Sequence, residues 1–225
     1  MTLTPSHREP LAQEVTGKLR TAISSGLWAL NERIPSEQVL MKELGVSRGT
    51  LREALRALAH AGMLEVRRGD GTFVRATSEI AGATAKLLSQ HGDKHVIEVR
   101  LALDSQAARL AALNAKETEI REMRALLAGR RRAAEQQDTQ AWLALDWDFH
   151  LAVARASGNP LLGELYESFG SVFISSLISQ LGDHGLGYHP EGHEDLLAAI
   201  EAGDQESAAA SVSQHLDSRL QSLQD

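Results

Sequence analysis

"PSEQVLMKELGVSRGTLREALRALAHAGMLEVRRGDGTFV", residues 35–74, is the stretch on which the reading of this 225-residue chain turns. Its apolar residues change period along the way. Val39, Leu40 and Leu44 fall on one side of a short helix that Ser36 can cap and Gly45 can end. Only "GVS" separates it from a second helix, capped by Ser47, with Leu51, Ala54, Leu55 and Leu58 as its buried face and Gly62 as its stop. The pattern then becomes that of strands: Leu64-Glu65-Val66 and Thr72-Phe73-Val74 are β-type runs around the glycine-rich turn "RRGDG". Upstream, Leu11, Val15, Leu19 and Ile23 recur every fourth residue and predict a helix ended by Gly26. Three helices followed by a hairpin make a winged helix-turn-helix, whose last helix enters the DNA major groove.

Helix geometry selects the residues that would face nucleic acid. Arg48, Arg52 and Arg56 lie on one stripe opposite the leucines. Arg48 and Arg52, nearest the helix start, are the candidates for reading guanine O6 and N7, and Arg56, a turn later, for a phosphate. Ser47 and Thr50 can bond phosphate at the helix N-terminus, and Ser36 stands at the start of the helix before it. Arg67 and Arg68 flank the wing turn, where Gly69 and Gly71 permit close approach to a groove. Charge supports the division: residues 1–76 carry 11 Lys and Arg against 8 Asp and Glu, a balance of +3, whereas residues 77–225 carry 12 against 22, a balance of −10. A small polyanion-binding module joined to an acidic domain is the organisation this asymmetry implies.

The same residues carry a resemblance. The segment 34–74 resembles the DNA-binding domain of the GntR family of bacterial transcription regulators, with its Pro-Ser-Glu opening, Gly-Val-Ser-Arg, Arg-Glu-Ala-Leu and Gly-x-Gly-Thr-Phe-Val wing. The chain has Gln38 where many members have arginine, so any contact from that position would be made by an amide.

Beyond the polar linker near residues 76–79 the pattern is helical to the end, giving six or seven helices and no strand: an all-α antiparallel bundle occupying 77–225. "GDHGLGYHPEG", 182–192, is the one substantial loop, and Asp204 is placed to cap the last helix. "RRR" at 130–132 reads as a solvated helix end. Within the bundle, "DWDFH" puts Asp146 and His150 on one helical face, with Trp147 and Phe149 left to packing. His193 and His215, from two further helices, border apolar stripes of their own. A carboxylate and three imidazoles directed inward cost several kcal/mol unless something cationic joins them, and a divalent metal would remove that penalty.

"LALDWDFHLAVARASGNPLL" and the histidines downstream are similar to the FCD ligand-binding domain of the FadR-type branch of that family. The resemblance, covering about residues 90–220, implies a divalent metal held by Asp146, His150, His193 and His215 and a small organic-acid effector. It further implies that Arg100, in "EVR" at 98–100, pairs with the effector carboxylate, while Glu98 supports helix packing. Three histidines and a carboxylate suit zinc first, with nickel or manganese as alternatives.

The remaining composition narrows the classes. There is no cysteine, so neither disulfides nor thiolate ligands are available. No apolar run reaches the roughly 20 residues that span a bilayer, and the N-terminus lacks the apolar core of a secretory signal. The expectation is a cytoplasmic homodimer, not an enzyme, that binds double-stranded operator DNA in response to a metabolite, as a repressor. Two alternatives stay open at this point: a metal-dependent hydrolase fused to a DNA-binding module, and a constitutive DNA-binding protein whose bundle only dimerises. Against the first, the sequence offers no separate general base such as the glutamate of a His-Glu-x-x-His pattern.

Overall fold

A computed structural model describes residues 10–170 and 193–222, with side chains through Asp217. The described residues up to Lys86 form one compact unit and those from Leu87 onward a second. The expected winged helix-turn-helix and all-α C-terminal bundle are both formed.

The first unit runs α1 (Leu11–Ser24), α2 (Glu37–Leu44), α3 (Arg48–His60), β1 (Leu64–Arg67), β2 (Gly71–Val74) and most of α4 (Glu79–Leu88). Its core joins Val15, Leu19 and Ile23 of α1 to Leu51, Leu55 and Leu58 of α3, with Leu40, Met63 and Val74 closing it. Each such side chain, fully buried, contributes about 1.5–3 kcal/mol. Ser36 Oγ accepts from Val39 N at 3.4 Å and Ser47 Oγ from Thr50 N at 3.3 Å, so both serines cap as their positions suggest. Gly45, at φ 66°, ends α2 in the left-handed conformation that a glycine adopts without strain.

Two residues leave the stripes expected of them. Leu11 is 51% exposed and Val39 44% exposed, because the first is the opening residue of its helix and the second sits in the first turn of an eight-residue helix, too short to bury a wide face.

The hairpin pairs Leu64 with Val74 and Arg67 with Gly71. A third, unexpected segment lies along β2. Asn31 N donates to Val74 O, Val74 N to Glu32 O and Ile34 N to Thr72 O, each at 2.9 Å, and Arg33 bridges Phe73. The wing is therefore anchored on both edges of β2. Gly71 is needed there because its φ of 132° is a backbone conformation that residues with a Cβ rarely adopt.

The second unit consists of α5 (Asp93–Asn114), α6 (Glu117–Glu135), α7 (Thr139–Ala156), α8 (Pro160–Ser168), α9 (His193–Ala202) and α10 (Gln205–Ser222). Helix α5 is the hub, packed on α7, α9 and α10. Ala107, Ala108 and Ala111 make its buried face small enough for close helix approach, and Phe149, Met123 and Leu216 fill the space around it. Asn159 caps α8 ahead of Pro160, and Asp204 Oδ1 accepts from Glu206 N and Ser207 N at 3.1 and 3.0 Å to cap α10. The loop expected at 182–192, with His184 and His189, lies outside the described residues.

One contact ties α4 to the winged helix. Gly82 sits so close to the end of α3 that a Cβ there would meet Ala61 O at 2.3 Å, and one at Gly62 would meet Gly82 O at 2.5 Å. Gly-to-Ala in a free helix stabilises by about 1 kcal/mol. Here Gly82→Ala is expected to destabilise instead, because the obstructing atoms are backbone. A melting temperature at or above wild type would refute this contact.

Candidate functional site

The inner face of α7 and the start of α9 bring three ligand-type atoms together. Asp146, His150 and His193 are 2%, 7% and 2% exposed, and one ligand atom from each lies within 4.8 Å of the others. Asp146 and His150 meet because they are one helical turn apart, and His193 reaches them as the first residue of α9. His193 Nε2 lies 3.2 Å from Asp146 Oδ1 and 3.1 Å from His150 Nε2. A single proton on His193 Nε2 can serve only one of these contacts. Bonds of about 2.0–2.2 Å to a common ion place neighbouring ligand atoms roughly 3.0–3.5 Å apart. The donor set fits a divalent cation in its chemistry and in two of its three spacings, while the third pair, His150 Nε2 and Asp146 Oδ2, stands 3.9 Å apart and would close slightly on an ion.

His215 stands one ring further out, half-buried, its ring centroid 5.0 Å from that of His193. With His150, His193 and Asp104 it lines a cavity of about 10 Å3, together with Leu196, Val212 and Leu216. That is space for a single ion or water. Phe149 packs against both His150 and His193, at centroid distances of 5.6 and 5.5 Å, and Trp147 stacks on Tyr166 at 5.3 Å, so both aromatics have the packing roles expected of them.

Two residues of this centre escaped sequence reading. Arg130 is 4% exposed, not solvated: its Nε donates to Asp146 Oδ1 at 2.8 Å, and its guanidinium lies 4.5 Å over Trp142. The register of α6 turns this one member of the arginine run inward toward α7, whereas Arg131 faces out to Glu194. Asp104 is the second. Its Oδ2 accepts from Arg100 Nε at 3.1 Å and faces His150 Nδ1 at 3.8 Å. The one available signal was its spacing, i+4 from Arg100. Arg100 itself is buried in that pair, and Glu98 is exposed, outside the packing expected of it.

These charges act on one another. Burial opposes ionisation of Asp146, but the hydrogen-bonding contact to His193 and the neighbouring imidazoles and Arg130 outweigh it and hold the carboxyl well below the usual range. Burial raises Asp104, with Arg100 working against it. His150 is pushed well below the ordinary imidazole value, first by burial and then by the charge of Arg100.

On the first unit, Arg48, Arg52 and Arg56 form the exposed stripe that helix geometry predicts. Arg52 Nε donates to both carboxylate oxygens of Glu37, at 3.1 and 3.0 Å. Ser36, Ser47, Arg68 and Gly69 are exposed, and Thr50 is half-buried. Arg67 pairs with Glu65 at 3.3 Å and stacks on Phe73.

A winged helix with an exposed arginine stripe, carried in one chain with a helical unit enclosing an ion-sized centre, has the two parts of a ligand-responsive transcription regulator. The comparisons with known proteins agree. Residues 11–74 match "Bacterial regulatory proteins, gntR family" and residues 95–218 match the FCD domain. The Uxu operon regulator of Haemophilus influenzae is 31% identical over 88% of this chain and 76% of that protein. The Uxu operon transcriptional regulator of Escherichia coli is 31% identical over 94% and 86%. Among solved structures, Streptococcus agalactiae GntR superposes with a TM-score of 0.55 at 25% identity, covering 94% of this chain and 99% of that one. The chain belongs to the GntR family of bacterial regulatory proteins and carries its FCD domain. It is accordingly a transcription regulator and not an enzyme, and none of its described helices is long and apolar enough to cross a membrane.

In protein stripped of divalent ions, the neutrality of His150 has a consequence for stability. The unfolded imidazole takes up its proton near pH 6.5 and the folded one only well below that, so the unfolded chain binds more protons as pH falls. Stability is full above about pH 7 and declines as pH drops through that unfolded value toward 5. Chelator-treated His150→Gln is expected to show a flatter dependence of melting temperature on pH, and an unchanged slope would contradict it.

Proposed function

We propose that this regulator is a cytoplasmic homodimeric repressor whose FCD domain senses a small organic acid at a divalent-metal centre built from Asp146, His150, His193 and His215. The observation that supports the reading is the convergence of the buried Asp146, His150 and His193, beside a small cavity that His150 and His193 share with His215, and with Arg100 on the adjoining helix. A divalent ion bound there supplies a positive acceptor for a carboxylate oxygen. Zinc suits the donor set best, with nickel and manganese compatible. Arg100 is the residue to meet the acid's other oxygen, since a planar guanidinium matches a carboxylate bidentately. It would do so by giving up part of its bond to Asp104, which leaves a cation where the acid arrives.

Size makes the centre a sensor. The cavity beside the histidines is small, and an organic acid that reaches the ion there would contact its walls on α9 and α10. Effector binding thereby becomes helix displacement, which selects between DNA-compatible and incompatible states of the dimer. Dimerisation is part of the reading because one winged helix contacts too few base pairs for a selective site.

At the DNA, Arg48 and Arg52 read bases, while Arg56, Ser36, Ser47, Thr50, Arg67 and Arg68 hold phosphates, with Gly69 and Gly71 keeping the wing slim. Arg52 is held by Glu37 in the free protein, but both partners are exposed, and such pairs are worth only about 0–1 kcal/mol. A guanine can displace the glutamate. Arg52→Ala is expected to weaken operator binding by about 1–3 kcal/mol in gel-shift titrations at fixed salt. Unchanged affinity would remove Arg52 from base readout.

The metal reading has its own check. Purified wild-type protein should carry a divalent metal by elemental analysis and lose thermal stability in EDTA, whereas the double variant His150→Ala, His193→Ala should do neither. Metal-free wild-type protein whose melting ignores both EDTA and added zinc would leave the constitutive alternative standing.

A further inference from the structure

We infer that Arg130 is a built-in counter-cation which competes with divalent metal for Asp146 and so sets the affinity of the centre. This rests on the metal-centre reading above and goes beyond it, because it concerns a residue that is no ligand.

The placement of Arg130 carries the inference. Its Nε donates to Asp146 Oδ1 at 2.8 Å, the same oxygen that lies 3.2 Å from His193 Nε2. The residue is 4% exposed and its guanidinium lies 4.5 Å over the Trp142 ring, so it is fixed by packing as well as by the bond. A guanidinium keeps its charge in the interior. Arg130 with Asp146 and Arg100 with Asp104 make two buried pairs, and the formal charges of these four residues cancel.

A divalent ion entering that balanced cluster meets two costs. Oδ1 of Asp146 already shares its lone pairs with a cationic donor, which makes it a poorer ligand than a free carboxylate oxygen. The guanidinium also repels the arriving charge in a site that water does not screen. A centre without Arg130 would present an uncompensated buried carboxylate and would take the ion much more tightly. Arg130 thus keeps metal binding at this centre reversible.

The test is calorimetric titration of zinc into chelator-stripped, full-length wild-type protein, Arg130→Met and Arg130→Lys, with far-UV circular dichroism to follow folding. Arg130→Met should bind zinc about tenfold or more tighter than wild type, and Arg130→Lys, which retains the charge, should stay within about threefold. Adding His193→Ala to Arg130→Met should abolish the gain, which assigns it to this centre. If the stripped Met variant is unfolded, zinc added during refolding should restore its helicity at concentrations below the wild-type dissociation constant; failure to fold at any zinc level overturns the inference. Equal affinities in wild type and Arg130→Met overturn the role of Arg130 and leave the metal centre in place. Absence of saturable zinc binding in all three proteins overturns both.

Discussion

Full charges cannot be hidden in a helical bundle without partners, and this constraint organises the second unit. Asp104 and Asp146 are both within 4% of complete burial, and each has an arginine bonded to it. Removing one member of a buried pair costs about 3–5 kcal/mol, so the pairs fix which helices stay together. Arg130 ties α6 to α7 through Asp146, and His193 ties the start of α9 to the same carboxylate. Yet replacing a whole buried pair by apolar residues is commonly neutral or stabilising. Fold stability alone therefore does not explain why this interior keeps four charges and two buried imidazoles. The charged guest proposed for this site would explain it.

The first unit solves the opposite problem. Its arginines must be available to a polyanion, so they sit outside a leucine core and are held only by exposed carboxylates such as Glu37 and Glu65. Exposed pairs are cheap to exchange, which suits residues that change partners on binding. The rigidity comes from elsewhere: serine caps on α2 and α3, and a β2 strand bonded on both edges. The backbone that positions the arginines is firm, while the arginines themselves are loosely held.

How much of this was legible in the sequence follows from the range of the interactions involved. Caps, turns and apolar periods are local, and they located α1 through β2 and the α8 and α10 starts from a few residues each. Asp146 and His150 were legible together because a helix fixes their distance. His193 was legible only by counting inward-pointing histidines on other helices and by resemblance. Arg130 was not, since its orientation depends on the register of α6 against α7, and neighbouring Arg131 has the same chemistry and faces out. Asp104 was missed for a related reason: a carboxylate one turn after an arginine ordinarily reads as an exposed helix pair, and only packing against α7 and α10 buries it. The segment 31–34 escaped because its pairing to β2 is made by backbone, to which the polar side chains of Asn31, Glu32 and Arg33 give no clue.

Those two omissions change what the histidine–aspartate motif means. From sequence, a buried carboxylate among imidazoles demands an outside cation, and a metal is the natural answer. In the structure that demand is already met within the chain, by Arg130. A metal remains compatible with the donor atoms, but it becomes an addition to a neutral cluster and no longer a requirement of folding. An ion that is added to a neutral cluster leaves a buried positive excess, and an organic anion is the guest that offsets it. On the proposed reading, the chemistry of the effector and the presence of the arginines are two sides of one charge balance. A catalytic centre would instead need a free base beside its substrate, whereas His150 is buried and Asp146 is already bonded to Arg130. On the proposed reading, occupancy, passed on through α9 and α10, is what this site reports.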